Sequence, residues 1–167
     1  MKRINHALYI AITAMFSALL VGGKQALAVI PNVEVVTIVI ALCSYVWGLG
    51  VALPAVFVFI GIDVAIFGIN TWVISYIIHW NLLAVVFWLL SKVKANNVIN
   101  VVLATITAVV ATVMFGVLTS AVDTCIGFVQ GGVQGGGFFF DFDNFAKRFV
   151  TMYLAGVSFY VTQCLCQ

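Results

Sequence analysis

The sequence predicts an all-α, polytopic membrane protein of six transmembrane helices, forming a single domain with both termini on the cytoplasmic side. Three observations predict it. Of 167 residues, 65% are hydrophobic and only 7% are charged, against roughly half and roughly a quarter in soluble domains. The mean hydropathy is +1.24. The apolar residues also fall in long runs, separated by short stretches containing Gly, Pro and Asn, as expected of helices that turn back at each bilayer surface. This composition excludes a soluble domain, a disordered tail, a nucleic-acid binder and a disulfide-stapled secreted module. At about 20 residues per span, six spans leave no room for a soluble catalytic domain.

The elements follow in order. Lys2 and Arg3 precede the first span, residues 7–21. These two charges, the apolar run and Ala26-Leu27-Ala28 imitate a secretory signal with its cleavage site. However, Lys24 and Gln25 stand directly before that site and further spans follow at once, so the segment reads as a retained helix. The second span covers 35–47 and the third 51–67, with Gly48-Leu49-Gly50 as a tight turn between them. Pro54 is placed in the first turn of the third span, where a missing N–H costs least. Gly68-Ile69-Asn70-Thr71 turns the chain into the fourth span, 72–90, and a hydrophilic connection, 91–97, leads to the fifth, 98–121.

The longest connection, 122–144, contains the Gly-rich stretch 130–137. It reads as a flexible lid over an outward-facing cavity, or as a linker. With no strand before it and no GxxxxGK pattern, it does not read as a phosphate cradle. The sixth span, 145–167, has no basic or polar flank at its inner end, as a truncated C-terminus would leave it. Orientation follows from the basic residues. Lys2, Arg3, Lys92 and Lys94 fall on one side, the cytoplasm, while Lys147 and Arg148 break the rule beside Asp141 and Asp143.

Polar side chains within a bilayer need internal partners or a wet cavity, which makes them functional candidates. On the fourth span Trp72, Tyr76, His79, Trp80 and Leu83 share one helical face by spacing, with Asn81 beside them. Such a stripe can stack on a planar solute and hydrogen-bond it, or it can be an interfacial belt with packing behind it. Lys24, Gln25, Asn32, Glu34, Asn70 and Thr71 lie at the same outer level. Asp63 reads either as a ligand contact or as the partner of Lys24 in a structural ion pair. Glu34 reads as charge at a helix N-terminus or as a ligand contact, Asp123 as a solvated loop residue, and His6 as incidental. The four cysteines, Cys43, Cys125, Cys164 and Cys166, form no CxxC pair and read as small hydrophobes. No metal site and no catalytic motif (HExxH, GxSxG, Walker A or an aspartate pair) is present in the sequence, so the chain is not expected to be an enzyme. Finally, Ala7, Ala11, Ala14, Ala18 and Gly22 form a smooth ridge along the first span. Ridges of this kind let helices approach closely in lipid.

Six short helices, the Ala14-x-x-x-Ala18 ridge, Pro31-Asn32-Val33-Glu34, and Gly68-x-x-x-Trp72 with Tyr76 and Trp80 resemble the substrate-binding S component of energy-coupling factor (ECF) transporters. The resemblance implies a subunit of the bacterial plasma membrane that captures a vitamin-like micronutrient from outside. The cavity would be lined by helices four to six and the loops after helices one and three. It further implies partnership with a transmembrane coupling subunit, docked on Ala14 and Ala18, and with two ABC-type ATPases. ATP would be used by those partners, and no cofactor by this chain. Many such proteins carry a polar pair near the middle of a longer helix six. Here Gln163 and Gln167 stand at that spacing and the chain then ends. The alternative from another class is a small structural or assembly membrane protein, similar to a cell-shape factor, in which the fourth-span stripe is packing. Lys24, Glu34, Asp63 and His79 suit a solute of either charge, and the substrate stays open at this level.

Overall fold

The computed structural model describes residues 6–27, 35–93, 96–135 and 142–165. Among them there are six helices and no strand: α1 His6–Leu27, α2 Val36–Trp47, α3 Leu49–Phe67, α4 Thr71–Leu90, α5 Asn97–Gly135 and α6 Phe142–Leu165. Four stretches, α1, α3, α4 and Asn97–Ile126 within α5, are long and apolar enough to cross a membrane. Helix α2 has 12 residues, about 18 Å at the α-helical rise, well short of the roughly 30 Å hydrocarbon core.

The core lies where α1, α2, α3 and α4 meet. Ile12, Phe16 and Leu20 of α1 pack with Ile40 and Cys43 of α2, Ala55, Val56 and Phe59 of α3, and Trp80, Ala84 and Phe87 of α4. Small residues allow the close approach. Ala52, Ala55 and Ala84 are all buried, and Ser17 of α1 reaches the Ala55 carbonyl of α3 at 3.4 Å. The opposite faces carry Ile10, Leu42, Phe57, Ile66 and Leu82, each more than half exposed, an apolar exterior suited to lipid. Helix α5 packs on α4, and α6 packs on α5.

The turns are built from residue chemistry. A single residue, Gly48, joins α2 to α3. Its φ of 79° is a conformation that costs a side-chain-bearing residue but not glycine. Its N–H donates to the Ser44 carbonyl at 3.1 Å, while its own carbonyl accepts from Ala52 at 3.1 Å to start the next helix. Because α3 begins at Leu49, Pro54 lies in its second turn, not the first. There a proline deprives the carbonyl four residues back, that of Gly50, of its helical donor. The Tyr9 hydroxyl of α1 donates to that same Gly50 carbonyl, so the helix fault is repaired across the α1–α3 interface. At the other end, Gly68 closes α3 with φ 79°, and the Asn70 side chain caps α4 by accepting from the Thr71 N–H at 2.7 Å.

The reading of the longest connection is corrected as well. Residues 122–135 do not form a loop but continue α5, which spans 39 residues. Nothing in 122–135 removes a backbone donor, since prolines occur only at 31 and 54. Glycine costs a helix only about 1 kcal/mol per residue, which weakens it without breaking the hydrogen-bond ladder. The lid reading therefore fails for 130–135, and 136–137 lie outside the described residues. Asp123 likewise sits in this helix, half-buried, rather than in a solvated loop.

Candidate functional site

The outer level predicted from sequence is built from the end of α1, the second half of α3 and the start of α4. Lys24 lies in the last turn of α1, where a cation complements the helix dipole. Its ammonium group pairs with the Asp63 carboxylate of α3, the partner its position suggested. The Lys24 side chain retains 26% exposure and Asp63 only 1%. Four rings surround the ammonium: Phe59 with its centroid at 5.5 Å, Phe67 at 5.5 Å, Trp72 at 5.6 Å and Tyr76 at 4.8 Å. Lys24 Nζ also donates to the Tyr76 hydroxyl at 3.5 Å. Phe59, Asp63 and Phe67 recur every four residues along α3, while Trp72 and Tyr76 are four apart on α4, so two helix faces converge on one cation.

Deeper in the bundle the aromatic stripe continues. Tyr76 meets Trp80 edge-on at 5.7 Å, and His79 lies 4.7 Å from Trp80. Phe115 of α5 closes this group, 5.8 Å from Trp80 in stacked orientation and 4.8 Å from His79. Trp80 is 1% exposed and His79 6%, whereas Trp72 and Tyr76 are half-buried. The face read from sequence is therefore the buried face of α4, and its first two rings are the partly exposed ones, at the Lys24 end.

The remaining candidates separate. Asn70 is exposed and its side chain caps α4. Asn81 donates to the Ile77 carbonyl of its own helix at 2.7 Å. Asn32 and Glu34 lie outside the described residues, as does the side chain of Gln163. Phe115 was not anticipated. A signal was present in Thr112, three residues before Phe115 and buried like it on α5, a hydroxyl residue that marks an inward face within a run that looks uniformly apolar.

Several buried polar atoms of this region have no hydrogen-bond partner among the described residues: Asp63 Oδ1, Trp80 Nε1, Gln25 Nε2 and Asn81 Oδ1. Unsatisfied buried groups are costly and uncommon; Gln25 and Asp63 belong to the Lys24 end, whereas Trp80 and Asn81 lie midway along α4. A cavity of about 150 Å³ between α4 and α5 is lined by His79, Leu83, Thr107 and Met114. No group of three or more metal-ligating side chains occurs among the described residues, and Cys43 and Cys125 are free thiols.

On the outside of α1, Ala7, Ala11, Ala14, Ala18 and Gly22 are all exposed, flanked by Leu8, Met15 and Leu19, each at least 50% exposed. The small-residue ridge thus faces away from the core. No family model, no curated protein and no solved structure matches the chain.

Proposed function

We propose that this chain is the solute-binding subunit of a membrane importer of the energy-coupling factor type. The observation that carries the reading is the Lys24–Asp63 pair within its aromatic surround, with one buried Asp63 oxygen left without a hydrogen-bond partner among the described residues. Intramembrane charge is expensive and is kept where it does something. Here it stands beside rings able to stack on a planar solute. The reading takes six spans, both termini in the cytoplasm and the site facing outward, in a bacterial plasma membrane. It assigns a vitamin-like micronutrient to the site and leaves ATP hydrolysis to partners.

The exposed ridge of α1 supports the second half of the proposal. Ala14 and Ala18 are exposed and present a smooth surface among the described residues, so close helix–helix packing in lipid is open to a coupling subunit. The test is co-purification: tagged chain expressed with a coupling subunit and two ABC-type ATPases, then recovered in mild detergent. A stable four-part complex is expected. A well-folded chain that recovers none of these partners overturns the importer reading in favour of an assembly protein whose aromatic stripe is packing.

A further inference from the structure

Sequence leaves the sign of the solute's charge open; the geometry around Lys24 decides it. Building on the solute-binding reading, we infer that the ring cage is an organic-ammonium site. Lys24 is its built-in occupant, and a cationic solute bearing N–H donors displaces it from Asp63.

Three features carry this. First, four aromatic rings lie within 5.6 Å of one ammonium nitrogen. Ring faces are the negative part of the quadrupole, and a cage of them favours a cation. An anion placed there would meet four unfavourable faces and a carboxylate.

Second, Asp63 is almost wholly buried and its Oδ1 has no hydrogen-bond partner among the described residues. A buried carboxylate left without its counter-charge is strongly destabilised, so whatever removes Lys24 has to replace its charge. A neutral or anionic solute would strand Asp63. A solute ammonium keeps the pair neutral, and its N–H groups reach both carboxylate oxygens, including the one Lys24 leaves unused.

Third, the two partners differ in freedom. Asp63 is fixed on α3 within the core, whereas Lys24 is the partly exposed member, on a flexible four-carbon stem in the last turn of α1. Exchange therefore needs rotamer changes in one side chain and no helix movement. A tethered competitor acts at an effective concentration of the order of millimolar, so it screens out weak cations such as sodium, which have no apolar body to gain from the rings.

The experiment removes the tether. In Lys24→Ala the vacated space has the shape of n-propylammonium, the lysine side chain beyond Cβ. This probe is titrated against purified protein in detergent at constant ionic strength, read by tryptophan fluorescence and thermal unfolding. Expected is saturable binding at least about tenfold tighter than to the wild type, absent with uncharged 1-propanol, and lost in Lys24→Ala/Asp63→Asn. Equal affinity for wild type and Lys24→Ala, or equal response to propanol, overturns the inference. If Lys24→Ala does not fold, Lys24→Met keeps the stem and omits the ammonium, and methylammonium replaces the probe under the same criteria. The two proposals fail separately. A chain that assembles with its partners but shows no ammonium selectivity overturns the cation site alone. Selective ammonium binding without assembly supports the site and overturns the importer.

Discussion

The two ends of the helix bundle each hold a lysine over aromatic rings, and the contrast between them shows what separates a surface contact from a partly buried, ion-paired cluster. Lys92, at the end where α4 gives way to the connection before α5, lies 5.2 Å from the Trp88 ring and is exposed. It has one ring and no ion pair among the described residues. Lys24, at the opposite end, has four rings and a buried carboxylate. An exposed cation–π contact contributes about 0.5–1 kcal/mol and a desolvated one about 2 or more. The residue types are the same. What differs is how much water is excluded and whether a counter-charge is present.

Substitutions sharpen this comparison, from the largest expected effect to the smallest. Trp80→Ala should cost about 3–5 kcal/mol of stability, the usual range for a large aromatic removed from a packed interior, because Trp80 is 1% exposed and flanked by Tyr76, His79 and Phe115. Thermal unfolding in detergent measures it. A stable Trp80→Ala protein with lost solute binding would instead place Trp80 in the pocket wall. Asp63→Ala should cost about 3 kcal/mol, at the low end for breaking a buried pair because Lys24 keeps partial exposure. Lys24→Met/Asp63→Leu should recover most of that loss, since two apolar groups replace two charges. If the double variant stays as unstable as Asp63→Ala, packing rather than charge explains the site.

Two smaller effects test the other end of the bundle. Tyr9→Phe strands the Gly50 carbonyl that Pro54 leaves without a helical donor, and should lower stability by about 1 kcal/mol. Pro54→Ala supplies that donor, so adding it to Tyr9→Phe should reduce the loss. An undiminished loss would mean Tyr9 acts by packing alone. Lys92→Met should change stability by no more than about 1 kcal/mol, an order that reverses only if the exposed lysine has a partner beyond the described residues. Ala18→Trp sits apart from this scale. Ala18 is exposed, so the substitution should leave folding and ammonium binding intact while blocking assembly with the coupling subunit; loss of folding as well would place the ridge inside the structure.

Much of this was legible in the residues. The Trp72-Tyr76-Trp80 spacing identified the inward face of α4, because side chains three and four apart share a face whatever surrounds the helix. Gly48 and Gly68 marked turns because their backbone conformation is costly to other residues. The alanine ridge was visible as a pattern, but whether it faced the core or the outside was not, since a helix carries no mark of which neighbour it will meet. Helix α5 was misread past residue 121 because glycine and polar residues lower helix propensity without removing a backbone donor, and a glycine ends a helix only where it takes a positive φ, as Gly48 and Gly68 do. Phe115 escaped notice for a related reason: one more apolar residue in an apolar run carries no signal until a partner is in place.

The sequence by itself therefore determined the helical, membrane-suited character of the chain, the turns at Gly48 and Gly68, and which face of α4 is buried. These depend on local backbone chemistry and on total hydrophobicity. Only the tertiary structure decided that the Asp63 carboxylate, four rings and the Lys24 ammonium share one point, that Tyr9 completes the hydrogen bond Pro54 removes, and that Ala14 and Ala18 face outward. In the first two cases Lys24 meets Asp63 39 positions away and Tyr9 meets Gly50 41 positions away, and in the third no neighbour among the described residues covers the ridge. No local pattern encodes them, because they follow from how whole helices pack.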